Sequence, residues 1–171
     1  MNRDEGRTSA NQTSCDHSDT FVGSLHDLIT AAMGRRPIAW VSSRNVDGVD
    51  ILEPFSFCSV SSTDPLIVQF TATGGKRSAD NAATTGQFVI NVVTESTVHQ
   101  VKATSAGIDE SINEFTEIAM DFAPASVVNC LRVRDSPVAI ECELHKIFEV
   151  GDSQVVMGRV VAVTVDPALC E

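Results

Sequence analysis

The chain has 171 residues, 43% of them hydrophobic, with a formal net charge of −11. That length and composition suit one globular domain with its own core, and exclude a disordered chain or a pair of full domains. The charge excludes a broad basic surface, and with it duplex nucleic acid as a main partner.

In chain order, residues 1–20 are polar and aperiodic, and are expected to form a disordered tail ahead of a single domain over 21–171. "SLHDLITAAMG" follows, with Leu25, Leu28, Ile29 and Ala32 on a helical stripe and Gly34 at its stop. From Pro37 the period becomes that of strands. "IAWVS" and a further extended run flank Asp47–Gly48, a hairpin signal. "LIVQFTAT" reads as a strand, a short helix is expected over 78–85 with Gly86 at its C-terminal cap, and "QFVINVV" reads as another strand. Weaker helical regions begin near Ser96 and Asn113, where Glu114 and Glu117 favour the helix dipole. In "VAIECELHKIFEV", Val138, Ile140, Cys142 and Leu144 alternate with Ala139, Glu141, Glu143 and His145, the pattern of a half-buried antiparallel strand. Gly151–Asp152 then turns the chain into "QVVMGRVVAVTV". Many short strands with few helices imply a mainly β fold, an antiparallel barrel with helices at its periphery.

Several chemistries are excluded. No Gly-rich dinucleotide or Walker motif is present, and no spacing suits a metal. The histidines, His17, His26, His99 and His145, sit among polar neighbours and read as surface residues. Cys15, Cys58, Cys130, Cys142 and Cys170 form no C-x-x-C and are odd in number, which suits a reducing compartment without disulfides. No apolar run reaches membrane-spanning length and no signal-peptide core opens the chain, so the protein is expected in the cytoplasm without a membrane partner.

Three clusters could carry function. In "GGKRSADN", Ser78 is placed to cap a helix whose first amides, with Lys76 nearby, would hold an anion such as a phosphate monoester. The plainer reading is a capped helix with Lys76 and Arg77 in solvent. In "PFSFCSVSS", small hydroxyl residues alternate with Phe55 and Phe57. Such a strand can offer hydroxyls and backbone groups to a flat polar ring walled by aromatics, or be a core strand with its serines outward. In "RRPIAWVSS", Arg35 and Arg36 precede a strand that holds Trp40, the only tryptophan.

Together "RPIAWVSS", "DG", "EPFSFCSVSSTDPLIVQF", K-x-S-x-x-N and "TGQFVINVV", followed by "NEF", "SPVAIECEL" and "VVMGRVVAV", resemble the flavin reductase-like family of FMN-binding split barrels, flavoredoxin type, over about 33–167. The resemblance implies that Lys76, Ser78 and Asn81 hold the FMN phosphate. It also implies that Trp40, Ser42, Ser43, Pro54, Phe55, Ser56 and Phe57 lie along the ribityl chain and ring, with Ser59, Val60 and Ser61 also binding the cofactor through a segment whose amides face its polar edge, and Arg36 placed where it could reach an anion. A homodimer with FMN near its interface is implied too. The chain departs from the family pattern at Ile51 (often Asn), at Glu53 (usually small), at Arg77 (usually acidic), and at Arg159 and Thr164 (a Glu and a His). It also stops at Glu171, where family members often continue over the flavin or the dimer surface. Glu53 would set a negative charge beside the cofactor. The implied activity is hydride transfer from NADH or NADPH to flavin, with no catalytic side chain required. The alternatives are a non-enzymatic FMN-binding electron carrier or flavin store, handing electrons to a partner protein, and a flavin-free dimeric scaffold.

Overall fold

In the computed structural model, the described residues are 38–105 and 111–169. The tail expected over 1–20, the helix ending at Gly34, and Arg35, Arg36, Cys15, Cys170, His17 and His26 lie outside them. Strands β1 (Ala39–Arg44) and β2 (Asp50–Phe55) form the expected hairpin. Its turn is closed by Asn45 N–H to Val49 O at 3.0 Å, and the Asn45 side chain accepts from the amides of Asp47 and Val49. β3 (Cys58–Thr63) and β4 (Leu66–Thr73) follow, then helix α1 (Arg77–Thr85), β5 (Gln87–Val92), α2 (Val98–Thr104) and the single turn α3 (Glu114–Glu117). A small pair, β6 (Phe122–Pro124) and β7 (Leu131–Val133), precedes the long hairpin β8 (Val138–Val150) and β9 (Ser153–Val165). No described helix is long and apolar enough to cross a membrane.

Seven strands form one antiparallel sheet in the order β2-β1-β5-β8-β9-β4-β3, and β6-β7 form a second. Period-2 alternation gives the large sheet two apolar faces. The inner face collects Ala39 and Val41 of β1, Phe55 of β2, Val68, Phe70 and Ala72 of β4, Phe88 and Ile90 of β5, Cys142 of β8 and Val156 of β9. Ala79 and Ala82 of α1 join this cluster, so the helix packs onto the interior of the curled sheet. This is the expected mainly β barrel. Phe70 is its centre, with ring centroids 4.6 Å from Phe55 and 5.3 Å from Phe88, the latter edge-on. Gly158 of β9 makes room for this packing, because a Cβ there would lie 2.7 Å from Cys142 Cβ and closer still to the Phe88 ring. The outer face begins with Trp40 and Leu52, which pack with Val101 of α2, Phe115 of α3, Met120 and Val133.

β8 keeps its alternation here, but its second face is covered. Glu141, expected on the solvent face, is fully buried. It lies on the face opposite Cys142, with Ala139 and Val89, and the loop between β6 and β7 folds over that face. Ser126 donates its amide and hydroxyl to Glu141 Oε1 at 2.8 and 2.7 Å, and the amides of Val127 and Val128 donate to Oε2 at 2.7 and 3.2 Å. Burial pushes this carboxyl up, but the donors from Ser126, Val127 and Val128 outweigh it and hold it below the usual carboxylate range.

A carboxylate whose folded pKa is lowered contributes stability that is fully present above its unfolded value, about 4.5, and is lost as pH falls through the folded value. Glu141→Gln should remove that part of the acid dependence. It should also cost about 2 kcal/mol near neutral pH, because an amide NH2 faces backbone donors. Urea midpoints measured from neutral pH down to pH about 3 check both effects; an unchanged acid slope would contradict the assignment.

Candidate functional site

The N-terminus of α1 is where the sequence places an anion. Lys76, not Ser78, is the N-cap, and it makes no side-chain capping bond. Ser78 lies one residue inside the helix, fully buried. Its role as the cap is therefore corrected. Arg77 is turned inward by acids and begins the helix one residue earlier than expected. The amide and hydroxyl of Ser78 both donate, at 2.9 Å, to Oε2 of Glu53 on β2. The amides of Ala79 and Asp80 donate to Lys76 O at 3.0 and 3.3 Å. Glu53 is 6% exposed and sits in the inner-face register between Ile51 and Phe55, opposite Val41. Its Oε1 lies 4.0 Å from Arg77 Nε, and Arg77 Nη2 donates to Glu114 Oε1. Glu114, fully buried, also accepts from the Leu52 amide of edge strand β2 at 2.5 Å.

One guanidinium therefore serves two buried carboxylates. Burial raises the Glu114 carboxyl above its usual value, against the Leu52 amide and the Arg77 charge, and the Glu53 charge raises it further. Arg77 Nη1 is buried without a hydrogen bond. A cleft of about 150 Å³ lies alongside, lined by Asn45, Ile51, Arg77, Asp80 and Asn81. Asn81, nearly buried, donates to Ser43 Oγ at 3.2 Å.

The other expected residues separate into two groups. Trp40, Ser42 and Ser43 are fully buried and spent on internal bonds. Trp40 Nε1 donates to Thr104 Oγ1 at 3.0 Å, and Ser42 Oγ donates to Leu131 O at 2.6 Å while accepting from Asn91 Nδ2. Their side chains present no surface to a ligand. Phe55 belongs to the barrel core and Pro54 is half-buried. Ser56, Phe57, Ser59, Val60 and Ser61 are exposed, along the β2–β3 connection and edge strand β3. Val60 is 62% and Phe57 40% exposed. The hydroxyls of Ser56, Ser59 and Ser61 make no hydrogen bond among the described residues.

Sequence reasoning missed the roles of Glu114 and Glu141. In the sequence Glu114 only favours a helix dipole and Glu141 only alternates with the apolar set of its strand, whereas a turn and a loop packed against the sheet make them internal acceptors. The described histidines, His99 and His145, are exposed as expected. The described cysteines are free, and burial pushes the Cys130 and Cys142 thiols up to about 11 and about 12, which makes them poor nucleophiles. No cluster of described residues could hold a metal ion.

Residues 33–170 match the model of the flavin reductase like domain. An uncharacterized protein of Aquifex aeolicus is 26% identical, with 90% of this chain and 81% of that protein covered. Among solved structures, the 2-nitrobenzoate 2-nitroreductase of Pseudomonas fluorescens is 28% identical with a TM-score of 0.80, covering 92% of this chain and 78% of that one. Component B of nitrilotriacetate monooxygenase from Bacillus cereus is 23% identical with a TM-score of 0.85, covering 95% and 86%.

Replacing Arg77 leaves two buried carboxylates without a counter-charge, so Arg77→Met should destabilise the fold by about 3 kcal/mol in urea unfolding. Arg77→Met combined with Glu114→Gln should cost less than Arg77→Met alone. Equal losses would mean that the two side chains are not coupled.

Proposed function

The chain belongs to the flavin reductase like domain family, and on that premise we propose that it is a flavin-dependent oxidoreductase that takes hydride from NADH or NADPH. The observation that carries this reading is the strip from Ser56 to Ser61. An exposed edge whose Ser56, Ser59 and Ser61 hydroxyls bind no described residue, with Phe57 and Val60 exposed along the same segment, offers both polar and apolar groups to a ligand. That combination suits a flat heteroaromatic ring. A flavin, when bound, supplies the hydride and electron chemistry that side chains lack. The protein's part is then to orient the ring and to stabilise negative charge on its polar edge, with backbone amides around Ser56–Ser61 and the free hydroxyls as donors. No side chain has to act as nucleophile or general acid. A nitroreductase among the solved relatives supports a reductive activity.

The FMN phosphate does not fit the N-terminus of α1 as it stands, because Glu53 already takes the Ser78 amide and hydroxyl. Lys76 remains there as a half-buried cation, and Arg77 is shared between Glu53 and Glu114. Flavin binding in this reading therefore rests on the ring strip. The reading also includes a homodimer and a cytoplasmic setting. Edge strand β3 pairs on one side only among the described residues, and exposed Val60 and Leu66 near it, with Phe148 and Val150 at the β8–β9 tip, are apolar surface that a second copy would cover.

Purified protein mixed with flavin and titrated anaerobically with NADH or NADPH should bleach the flavin band at a rate proportional to protein. Binding without bleaching would favour the electron-carrier alternative, which hands electrons to a partner protein. No interaction with flavin would overturn both. Light scattering should give twice the chain mass; a monomer with flavin bound would contradict the dimer.

A further inference from the structure

Glu53 occupies the position that an anionic ligand would take at α1. It accepts both available donors of Ser78, and the next two amides are satisfied by Lys76 O. An incoming phosphate monoester would carry about −1.5 to −2 charges at neutral pH. It would meet Glu53, Glu114 and Asp80 against Arg77 and Lys76, so the acids are already in excess before the phosphate arrives. Displacing Glu53 has its own cost. The residue is 6% exposed, and moved off Ser78 it would be a buried carboxylate with only the long contact to Arg77. Nor can α1 lift away to make room. Ala79 and Ala82, which flank Asn81 in the buried face, are part of the barrel core. The seam between helix and barrel thus fixes Ser78 on Glu53.

We propose that Glu53 is a built-in anion that excludes a phosphate group from the α1 N-terminus, so that this chain selects flavin by its ring and binds riboflavin as well as FMN. The inference rests on the flavin reading above and names its substrate class: a flavin whose phosphate, if present, stays in solvent. Glu53 is a specificity-determining residue here and takes no part in hydride transfer.

The test is a set of flavin-fluorescence titrations with riboflavin and FMN on the wild type, Glu53→Gln and Glu53→Ala, with emission from buried Trp40 confirming that each variant is folded. The wild type should bind FMN no more than about threefold more tightly than riboflavin, a difference under about 0.7 kcal/mol. Glu53→Ala frees the Ser78 donors and leaves one carboxylate to one guanidinium. It should tighten FMN at least about tenfold and leave riboflavin within about threefold. Glu53→Gln, neutral but still able to accept from Ser78, should fall between. Wild-type preference for FMN beyond about threefold would overturn the proposal while leaving the flavin reading intact, and that comparison needs no variant to fold. An unchanged FMN-to-riboflavin ratio in folded Glu53→Ala would also overturn it. If neither flavin binds any form, the flavin reading falls and this inference with it.

Discussion

Backbone amides that regular structure leaves without an acceptor must find one when they are buried, and this fold meets that constraint with three glutamates. Glu53 takes the Ser78 amide near the start of α1, Glu114 takes the Leu52 amide on the outer edge of β2, and Glu141 takes three amides of the loop over β8. Each site lies where one element ends against another: helix on barrel, turn on sheet edge, loop on sheet face. The strands themselves pair with each other and need no such help. The joints between layers depend on acids, so part of the large negative charge of the chain serves inside the fold.

The three sites differ in how their charge is balanced. Glu141 forms no ion pair with a described residue, yet its carboxyl stays below the usual range because its burial is outweighed by four donor contacts. Glu114 has a cation and still rises, because burial exceeds what one amide and a shared guanidinium return, and Glu53 adds a like charge. Stability linked to the two should therefore run in opposite senses. The Glu141 contribution is lost in acid. A raised carboxyl such as Glu114 holds its proton better in the folded state, so its contribution weakens as pH rises from about 4.5 towards the folded value. Donor count decides the sign here, and proximity to a cation does not.

The strands were legible because alternation and turn residues agree with the final sheet. Asp47–Gly48, Gly86 and Gly151–Asp152 fall at the β1–β2 turn, the α1 C-terminal cap and the β8–β9 turn. β6 and β7 were not legible. Each is three residues long, too short to show a period. The burial of Glu141 was hidden for another reason. The residue lies on the face that alternation assigns it, and the loop that covers this face comes from between β6 and β7, which nothing within β8 announces. The candidate site was legible as a set of segments but not in its orientation. Trp40, Ser42 and Ser43 turn out to be internal, while Ser56–Ser61 are outward. The departure at Glu53 was visible as an unexpected charge. Its contact with Ser78 could not be read without the pairing of β1 with β2, which sets Glu53 on the inner face beneath α1.

That placement makes the acid and the helix depend on each other. Ser43 opposite Ile51, and Val41 opposite Glu53, put one polar and one charged residue on the same inner row as Ala39 and Phe55. An inner row can carry such residues only at its end, where a helix with matching donors covers them. α1 supplies those donors in register: Ser78 for Glu53 and, one turn further on, Asn81 for Ser43. Between them Ala79, with Ala82 beside Asn81, seats the helix on the core by close apolar contact. The polar pairs fix which way the helix faces, and the alanines fix how near it comes. A chain that had a small residue in place of Glu53 would leave the Ser78 donors open at the same seam without disturbing the alanine contacts. One substitution at this end of the barrel can therefore change which donors stand open while the contacts that seat the helix stay the same.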